Sequence, residues 1–336
     1  MFQTIVKIFL LVIITAAITP FIRKLAFVLG AVDNPNARRI NKKPMPTIGG
    51  LAIFVAFNIG EFVLLRKDFP THELFSVLLA SSVIILTGLI DDILELKPRQ
   101  KMFGIFIASL VVYFLAGIKV RELSLPLLGH LQLGWWSFPL TIFWILALTN
   151  AVNLIDGLDG LATGVTLISL VTMGIVGFFF LKSWQHYVPI MCIMLAACLL
   201  GFLPYNFHPA KIFLGDTGAL YIGFMISVFS LKGLKNVTFV SLLVPILILG
   251  VPITDTVYAM IRRKLNKKNI SQADKHHLHH QLMRMGLTHR QTVLAIYGIS
   301  LIFSFVSLLS LVSPRWGIWL LILGLLFAVE LFVETL

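Results

Sequence analysis

Two aspartates three positions apart, Asp156 and Asp159, interrupt a long apolar sequence in the segment NAVNLIDGLDGLATG, residues 150–164. Asn150 and Asn153 continue the same spacing, which in a helical or tight-turn backbone places the four polar side chains along one side. The glycines between them permit positive φ angles or close approach of a ligand to the backbone. A polar turn between two membrane spans is the structural alternative. The regular spacing and the lack of Lys and Arg favour a binding or catalytic segment.

Two adjacent carboxylates, Asp91 and Asp92, stand near the end of an apolar run in LTGLIDDILELKPRQK, residues 86–101. Neighbouring carboxylates repel each other, so keeping both ionised favours a nearby divalent cation or another cationic group. A solvated helix end is the structural alternative. Membrane-edge acids are costly, which makes this pair a candidate for function.

A fifth aspartate, Asp216, precedes an apolar helix that we expect to begin near Thr217, within PYNFHPAKIFLGDTGAL, residues 204–220. Its side chain could cap that helix, which is a purely structural role. At the membrane edge it could also hold Mg²⁺, with the adjacent glycine leaving room for diphosphate oxygens.

Four histidines occur within DKHHLHHQLMRMG, residues 274–286: His276, His277, His279 and His280. On a helix, some of them share a face, so a zinc or nickel site is conceivable. The flanking Lys275 and Arg284 favour diphosphate binding or proton transfer. A helix that lies on lipid headgroups is the structural alternative. Upstream, Asp255 and Arg262 are seven residues apart on one helix face, as a structural pair or as substrate contacts.

The composition shows what kind of scaffold must position these residues. Of 336 residues, 58% are hydrophobic and only 12% are charged, against about 25% charged in soluble domains. With a mean hydropathy of +0.94, the chain is predicted to be an all-α integral membrane protein with about eleven transmembrane helices. We expect residues 1–336 to form a single polytopic membrane domain. The apolar runs lie near 4–22, 48–65, 73–90, 102–118, 138–153, 161–181, 187–204, 217–231, 237–260, 291–312 and 316–334.

The formal net charge of +12 is explained by membrane orientation rather than by nucleic acid. If the amino terminus is outside, the inside loops carry more than twice as many Lys and Arg residues as the outside loops, as the positive-inside rule requires. No nucleic-acid partner is therefore expected, and the lipid bilayer is the expected surroundings.

In this topology, the carboxylates of three separate segments reach one membrane face. Asp91 and Asp92 end the third span, the 150–164 segment follows the fifth, and Asp216 precedes the eighth. We therefore predict an active site on the cytoplasmic face. An ion-coupled transporter is the alternative. It is remote, because a transporter would place its acids near the bilayer midplane, whereas these acids lie at one membrane face.

These stretches together resemble the polyprenyl-phosphate N-acetylhexosamine-1-phosphate transferase family. The matching segments span most of the chain in the family's order, and their combination is specific. They are KKPMPTIGG at 42–50, DD at 91–92, NAVNLIDGLDGLA at 150–162, YNFHPAKIFLGDTG at 205–218 and HHLHH at 276–280. The resemblance implies a multi-span enzyme that transfers a sugar-1-phosphate from a UDP-sugar to a polyprenyl phosphate, releases UMP and requires Mg²⁺, for which Mn²⁺ could substitute.

The resemblance also implies roles for individual residues. The catalytic candidates are Asp91, Asp92, Asp156 and Asp159, and the metal candidates are Asp216, Asn153 and Asp92. The substrate-binding candidates are Lys42, Thr47, Asn153, Asn206, Phe213, Gly215, Arg262, His277, His279 and His280. Among these, Phe213 is suited to stacking on uracil. We expect Asp91 to deprotonate or orient the lipid phosphate for in-line attack, with a two-step route through an aspartyl-phosphate as the alternative.

The histidine pattern bears on the sugar. Phospho-MurNAc-pentapeptide transferases, which also resemble this chain, typically carry three consecutive histidines after a proline, whereas this chain has His-His-Leu-His-His after Asp274 and Lys275. This difference favours UDP-GlcNAc as donor and undecaprenyl phosphate as acceptor, in the first membrane step of a cell-envelope polysaccharide such as teichoic acid or O-antigen. The transferase of peptidoglycan synthesis is the alternative. The expected location is the bacterial plasma membrane, and the resemblance leaves room for a homodimer.

Overall fold

The protein is described here from a computed structural model, which places residues 2–33, 44–64, 66, 70–125, 129–180, 187–233, 246, 249–265 and 278–313. The chain is built from helices, in agreement with its apolar composition. The helices are α1 (Phe2–Leu29), α2 (Gly50–Ile59), α3 (Thr71–Leu94), α4 (Pro98–Phe114), α5 (Ser137–Ile155), α6 (Leu161–Phe179), α7 (Tyr187–Asn206), α8 (Gly215–Gly233), α9 (Gly250–Leu265), α10 (Leu278–Arg284) and α11 (His289–Val312).

Within the described part of the chain, six helices are long and apolar enough to cross a membrane: α1, α3, α5 with the turn before it, α6, α7 and α11. Helices are expected here because the bilayer core offers the backbone no water to bond. The prediction of an all-helical integral membrane protein is confirmed. Other predicted runs correspond to shorter or more polar helices such as α2, α4 and α8, and the run at 316–334 lies outside the described residues.

Helix α8 is the central element of the bundle, and it contacts α2, α3, α5 and α7. Its apolar side chains, from Ala219 to Phe229, are almost completely buried. Close approach depends on small residues, because a Cβ on Gly50 of α2 would overlap the backbone of Gly218, and one on Gly88 of α3 would overlap Thr217. Small residues at helix crossings are the usual solution where hydrophobic driving forces between helices are weak. The start of α8 is therefore fixed by its neighbours.

Four strands in the described part of the chain form two short antiparallel pairs at opposite ends of the bundle. Strands β1 (Val32–Asp33) and β2 (Met45–Pro46) pair after α1, and β3 (Glu122–Leu125) and β4 (Gly129–Gln132) form a hairpin between α4 and α5. The chain after β2 also pairs with the segment before α8: the amide of Phe213 donates to Pro46, and the amide of Gly49 donates to the carbonyl of Phe213. These bonds bring distant helix ends together at the β1–β2 end.

Candidate active site

A cavity of about 450 Å³ opens at the end of the bundle where α3, α5 and α7 end and α4, α6 and α8 begin. It brings together most of the residues selected from the sequence, although they come from segments far apart in the chain. Its lining consists of Val32, Asp33, Thr47, Asp91, Asp92, Glu95, Lys101, Asn153, Asp156, Gly157, Leu158, Asp159, Asn206, Phe213, Leu214, Gly215 and Asp216.

Asp216 lies at the centre of the polar contacts in this acidic cavity. Its Oδ1 accepts from Nζ of Lys101 at 2.8 Å and from Nδ2 of Asn153 at 2.5 Å. The same ammonium group is 2.6 Å from Oδ2 of Asp91, whose other oxygen accepts from the backbone of Leu96. One lysine thus bridges two carboxylates from different helices, and its position marks where a cation is favoured.

Asp92 uses both carboxylate oxygens to hold the start of α8. Oδ1 accepts from the amide of Asp216 at 3.0 Å, and Oδ2 accepts from the amide of Thr217 at 3.0 Å and from its hydroxyl at 2.6 Å. The sequence suggested Asp216 as the cap of this helix, but the cap is supplied by Asp92 from α3. Gly215 adopts φ +73°, and a Cβ there would overlap the backbone oxygen of Thr47, so glycine is required.

Asp156 follows the last residue of α5, and its carboxylate makes no hydrogen bond with any described residue. Burial, together with the negative charges of Asp216, Asp92 and Asp159, raises the pKa of Asp156 well above its ordinary value. This carboxyl group is therefore able to accept a proton or to be neutralised by a cation.

Asp159 is held by the segment that joins α7 to α8. Its Oδ2 lies 2.8 Å from Nδ1 of His208 and accepts from the amide of Ala210 at 3.1 Å. The loop between α5 and α6, which carries Asp159, also contains Gly157, where a Cβ would overlap the ring of His279. The predicted histidine segment therefore reaches the cavity edge through His279, which is buried.

Three of the predicted binding residues have structural contacts as well as cavity positions. Buried Asn206 accepts from the hydroxyl of Thr163 at 2.7 Å and donates to the carbonyl of Ile212, which shapes the loop before α8. Thr47 donates its hydroxyl to the carbonyl of Ala31. Phe213 is half-buried and lines the cavity.

Other sequence candidates lie away from the cavity lining or outside the described residues. Lys42 and His277 are among the residues that the structure does not describe, as is the side chain of Arg262. His280 lies on α10 with its ring 4.2 Å from that of His279. The predicted pairing of Asp255 with Arg262 involves a side chain outside the described residues, and the carboxylate of Asp255 accepts from the amide of Leu278 at the start of α10.

The sequence reasoning missed Lys101, Thr217 and His208. Lys101 lies one helical turn into α4, and no sequence signal separates it from the neighbouring Lys97 and Arg99. His208 stands inside the quoted 204–220 segment, but nothing local connects it with Asp159.

The charge balance of the acidic cavity bears on the expected metal. Among its described lining residues, seven carboxylates face one lysine, so entry of a phosphate-bearing ligand is opposed unless protons or additional cations offset the negative charge. The carboxylate oxygens of Asp91 and Asp216 and the amide of Asn153 form the hard oxygen-rich donor set that Mg²⁺ prefers. An ammonium already lies between the two carboxylates. These residues therefore fit a divalent cation.

Comparison with known proteins identifies relatives along most of the chain. A family model described as "Glycosyl transferase family 4" matches residues 74–234. A probable undecaprenyl-phosphate N-acetylglucosaminyl 1-phosphate transferase of Bacillus subtilis (strain 168) is 42% identical over 320 residues, covering 95% of this chain and 88% of that protein.

More distant relatives cover similar lengths. The decaprenyl-phosphate N-acetylglucosaminephosphotransferase of Mycobacterium tuberculosis is 35% identical over 313 residues, or 85% of this chain and 77% of that protein. A phospho-N-acetylmuramoyl-pentapeptide-transferase of Clostridium botulinum is 31% identical over 306 residues, or 87% of this chain and 90% of that protein.

Proposed function

Because this chain belongs to the polyprenyl-phosphate N-acetylhexosamine-1-phosphate transferase family, we propose that it transfers GlcNAc-1-phosphate from UDP-GlcNAc to undecaprenyl phosphate and releases UMP. The observation that carries this proposal is the acidic cavity, in which Asp91, Asn153, Asp156 and Asp216 converge from separate helices. The 42% identity to a relative named for this reaction supports the choice of substrates.

The proposed setting is the bacterial plasma membrane, with about eleven spans, the amino terminus outside and the cavity on the cytoplasmic face. The distribution of Lys and Arg supports this orientation. It also fits the substrates, because a water-soluble nucleotide sugar and a lipid phosphate would meet where helix ends reach the membrane surface. A homodimer is the assembly proposed from the family resemblance, and light scattering in detergent tests it.

The proposed cofactor is Mg²⁺, held by Asp216 and Asp91 with the amide of Asn153. When bound, the ion would neutralise negative charge on the diphosphate, against which attack by a second anion is otherwise opposed. Asp92 fits the metal role less well, because its oxygens already bond the start of α8. We propose that Asp92 positions Asp216.

The geometry favours Asp156 over Asp91 as the group that accepts a proton from the lipid phosphate. Asp91 is paired with Lys101 and bonded to the amide of Leu96, whereas the carboxylate of Asp156 makes no hydrogen bond to a described residue and lies among the negative charges of Asp216, Asp92 and Asp159. Lys101 is placed to attract phosphate oxygens toward Asp216. Phe213 offers a stacking face to the uracil, and Asp159 with His208 holds the loop that carries Asp156.

The alternative donor is UDP-MurNAc-pentapeptide, because a transferase named for that chemistry is also a relative, at 31% identity. The deciding experiment uses the full-length protein in detergent with undecaprenyl phosphate, Mg²⁺ and each donor in turn. We expect UMP release and a lipid-linked sugar with UDP-GlcNAc only. Turnover with UDP-MurNAc-pentapeptide alone would reverse the donor assignment, and turnover with neither would remove the proposed reaction.

A further inference from the structure

Three potential metal ligands from separate segments meet beside the acidic cavity. Asp159 comes from the loop before α6, His208 from the loop before α8 and His289 from the first turn of α11. One carboxylate oxygen and one ring nitrogen from each histidine lie within 4.8 Å of one another. The two imidazole rings stack with their centroids 4.1 Å apart. In the proposed transfer reaction, Asp159 and His208 serve only to hold the loop that carries Asp156, and His289 has no assigned role.

One nitrogen of the cluster lacks a partner among the described residues. Nε2 of His289 is buried and makes no hydrogen bond to any residue that the structure describes, although the backbone of Asp159 interacts with the same ring. A buried imidazole nitrogen without a partner loses its hydration with no compensation. An ion bound through that nitrogen would satisfy it.

The donor set determines which ion fits. Two imidazoles and one carboxylate are ligands of Zn²⁺ and related transition metals, whereas Mg²⁺ prefers oxygen ligands alone. Tetrahedral zinc with bonds of about 2.0–2.1 Å would separate its ligand atoms by roughly 3.3 Å. In the structure, Oδ2 of Asp159 lies 2.8 Å from Nδ1 of His208, and all three ligand atoms lie within 4.8 Å of one another. Small side-chain rotations would bring these separations to the tetrahedral value. We propose that Asp159, His208 and His289 bind a Zn²⁺-class ion, separate from the cation expected at Asp216.

The surroundings of the cluster would hold its ligands in place for such an ion. The amide of Ala210 donates to Asp159 at 3.1 Å, and Nε of Arg290 donates to the carbonyl of His208 at 3.1 Å. The hydroxyl of Tyr297 on α11 donates to the carbonyl of Gly160. Outer bonds of this kind orient metal ligands. The ion would cross-link α11 to two loops of the cavity wall, so its role would be to stabilise that wall.

The test measures metal content rather than turnover, so its result is independent of the proposed reaction. The full-length protein in detergent is stripped with a chelator, exposed to Zn²⁺ and desalted, and the retained zinc is measured by mass spectrometry. We expect about one tightly held ion per chain. His208→Gln and His289→Gln should each weaken binding beyond the roughly 10- to 100-fold that loss of an outer-shell partner costs. The matched control is His72→Gln, at an exposed histidine on α3, which should retain zinc.

A second measurement uses the unaltered chain, so it does not depend on how the variants fold. Co²⁺ added to the stripped protein should give the visible absorption of a four-coordinate nitrogen and oxygen site, and Zn²⁺ should abolish it. Zn²⁺ should also raise the unfolding temperature of the wild type but not of His289→Gln. The proposal fails if the wild type retains no zinc. It also fails if both variants retain as much as the control, since the ion would then lie elsewhere, such as in the 276–280 histidine segment.

Discussion

The two ends of the helical bundle differ in how far their acidic side chains are paired with basic ones. At the acidic cavity, seven carboxylates face a single lysine among the described lining residues. At the opposite end, Glu73 near the start of α3 is paired with Lys232 near the end of α8. There the hydroxyl of Tyr187 also donates to Glu73 at 2.9 Å, and the Lys232 ammonium lies 4.4 Å from the centre of the Tyr187 ring.

This difference separates a structural role for charge from a functional one. A compensated pair such as Glu73–Lys232 joins two helices and has no evident need for a ligand. In the acidic cavity the carboxylates outnumber the basic side chains, so the carboxylates repel one another until cations enter. Loss of a cavity carboxylate should therefore affect turnover more than stability, and loss of a carboxylate at the opposite end should do the reverse.

The largest effect on turnover is expected for Asp216→Asn. This change removes the charge that contacts both Lys101 and Asn153, so UMP release should fall on the order of 1,000-fold. The unfolding temperature should stay level or rise, because repulsion within the cavity decreases. Turnover in detergent and thermal unfolding measure the two effects. Glu122→Gln, in the β3–β4 hairpin, is the matched control, and a wild-type rate in Asp216→Asn would exclude the residue from the mechanism.

The next largest effect is expected for Asp156→Asn, at about 100-fold. A general base acts only when deprotonated, so the wild-type rate should decline as the pH falls through the pKa of Asp156. Because that pKa is raised, the decline should begin at a higher pH than an ordinary aspartate would give. The variant should lose this acid limb from its pH–rate profile. If the limb persists in Asp156→Asn and disappears in Asp91→Asn, the proton is accepted by Asp91.

A smaller effect, about 10-fold in turnover, is expected for Lys101→Gln. The ammonium lies between Asp91 and Asp216, so its removal leaves two carboxylates that attract a divalent ion more strongly. The Mg²⁺ concentration for half-maximal rate should therefore fall, even though the maximal rate decreases. Lys97→Gln, at the residue before α4, serves as the control. An increased Mg²⁺ requirement in Lys101→Gln would show that the lysine assists the cation instead of competing with it.

The sequence was sufficient to predict a helical membrane scaffold and the convergence of the main acids, whereas the number of spans and their orientation stay predictions. Apolar runs of spanning length define helices, and the alternation of spans places the ends of the third and fifth helices beside the start of the eighth. The structure accordingly brings Asp91, Asp156 and Asp216 into one cavity. The prediction of helices succeeded because, in lipid, a spanning segment must satisfy its backbone hydrogen bonds internally, which leaves few possible backbone conformations.

The contacts inside the cavity were not predictable, because they depend on packing between distant segments. Asp92 caps a helix that begins more than a hundred residues later, while the local pattern offered Asp216 for that role. Nothing in the sequence distinguishes Lys101 from the nearby Lys97 and Arg99, since only the packing of α3 and α4 around α8 selects one of them. His289 likewise becomes a candidate ligand only when α11 packs beside α6.

The smallest effect on turnover, less than about 2-fold, is expected for Glu73→Gln at the opposite end of the bundle. The substitution retains an oxygen for Tyr187 but removes the charge paired with Lys232, whose side chain is only 5% exposed. Leaving that ammonium without its paired carboxylate should cost about 2 kcal/mol of stability. Thermal unfolding beside the Glu122→Gln control measures this cost. A large loss of turnover with unchanged stability would mean that this end of the bundle also contributes to the reaction, and charge compensation would no longer distinguish the two ends.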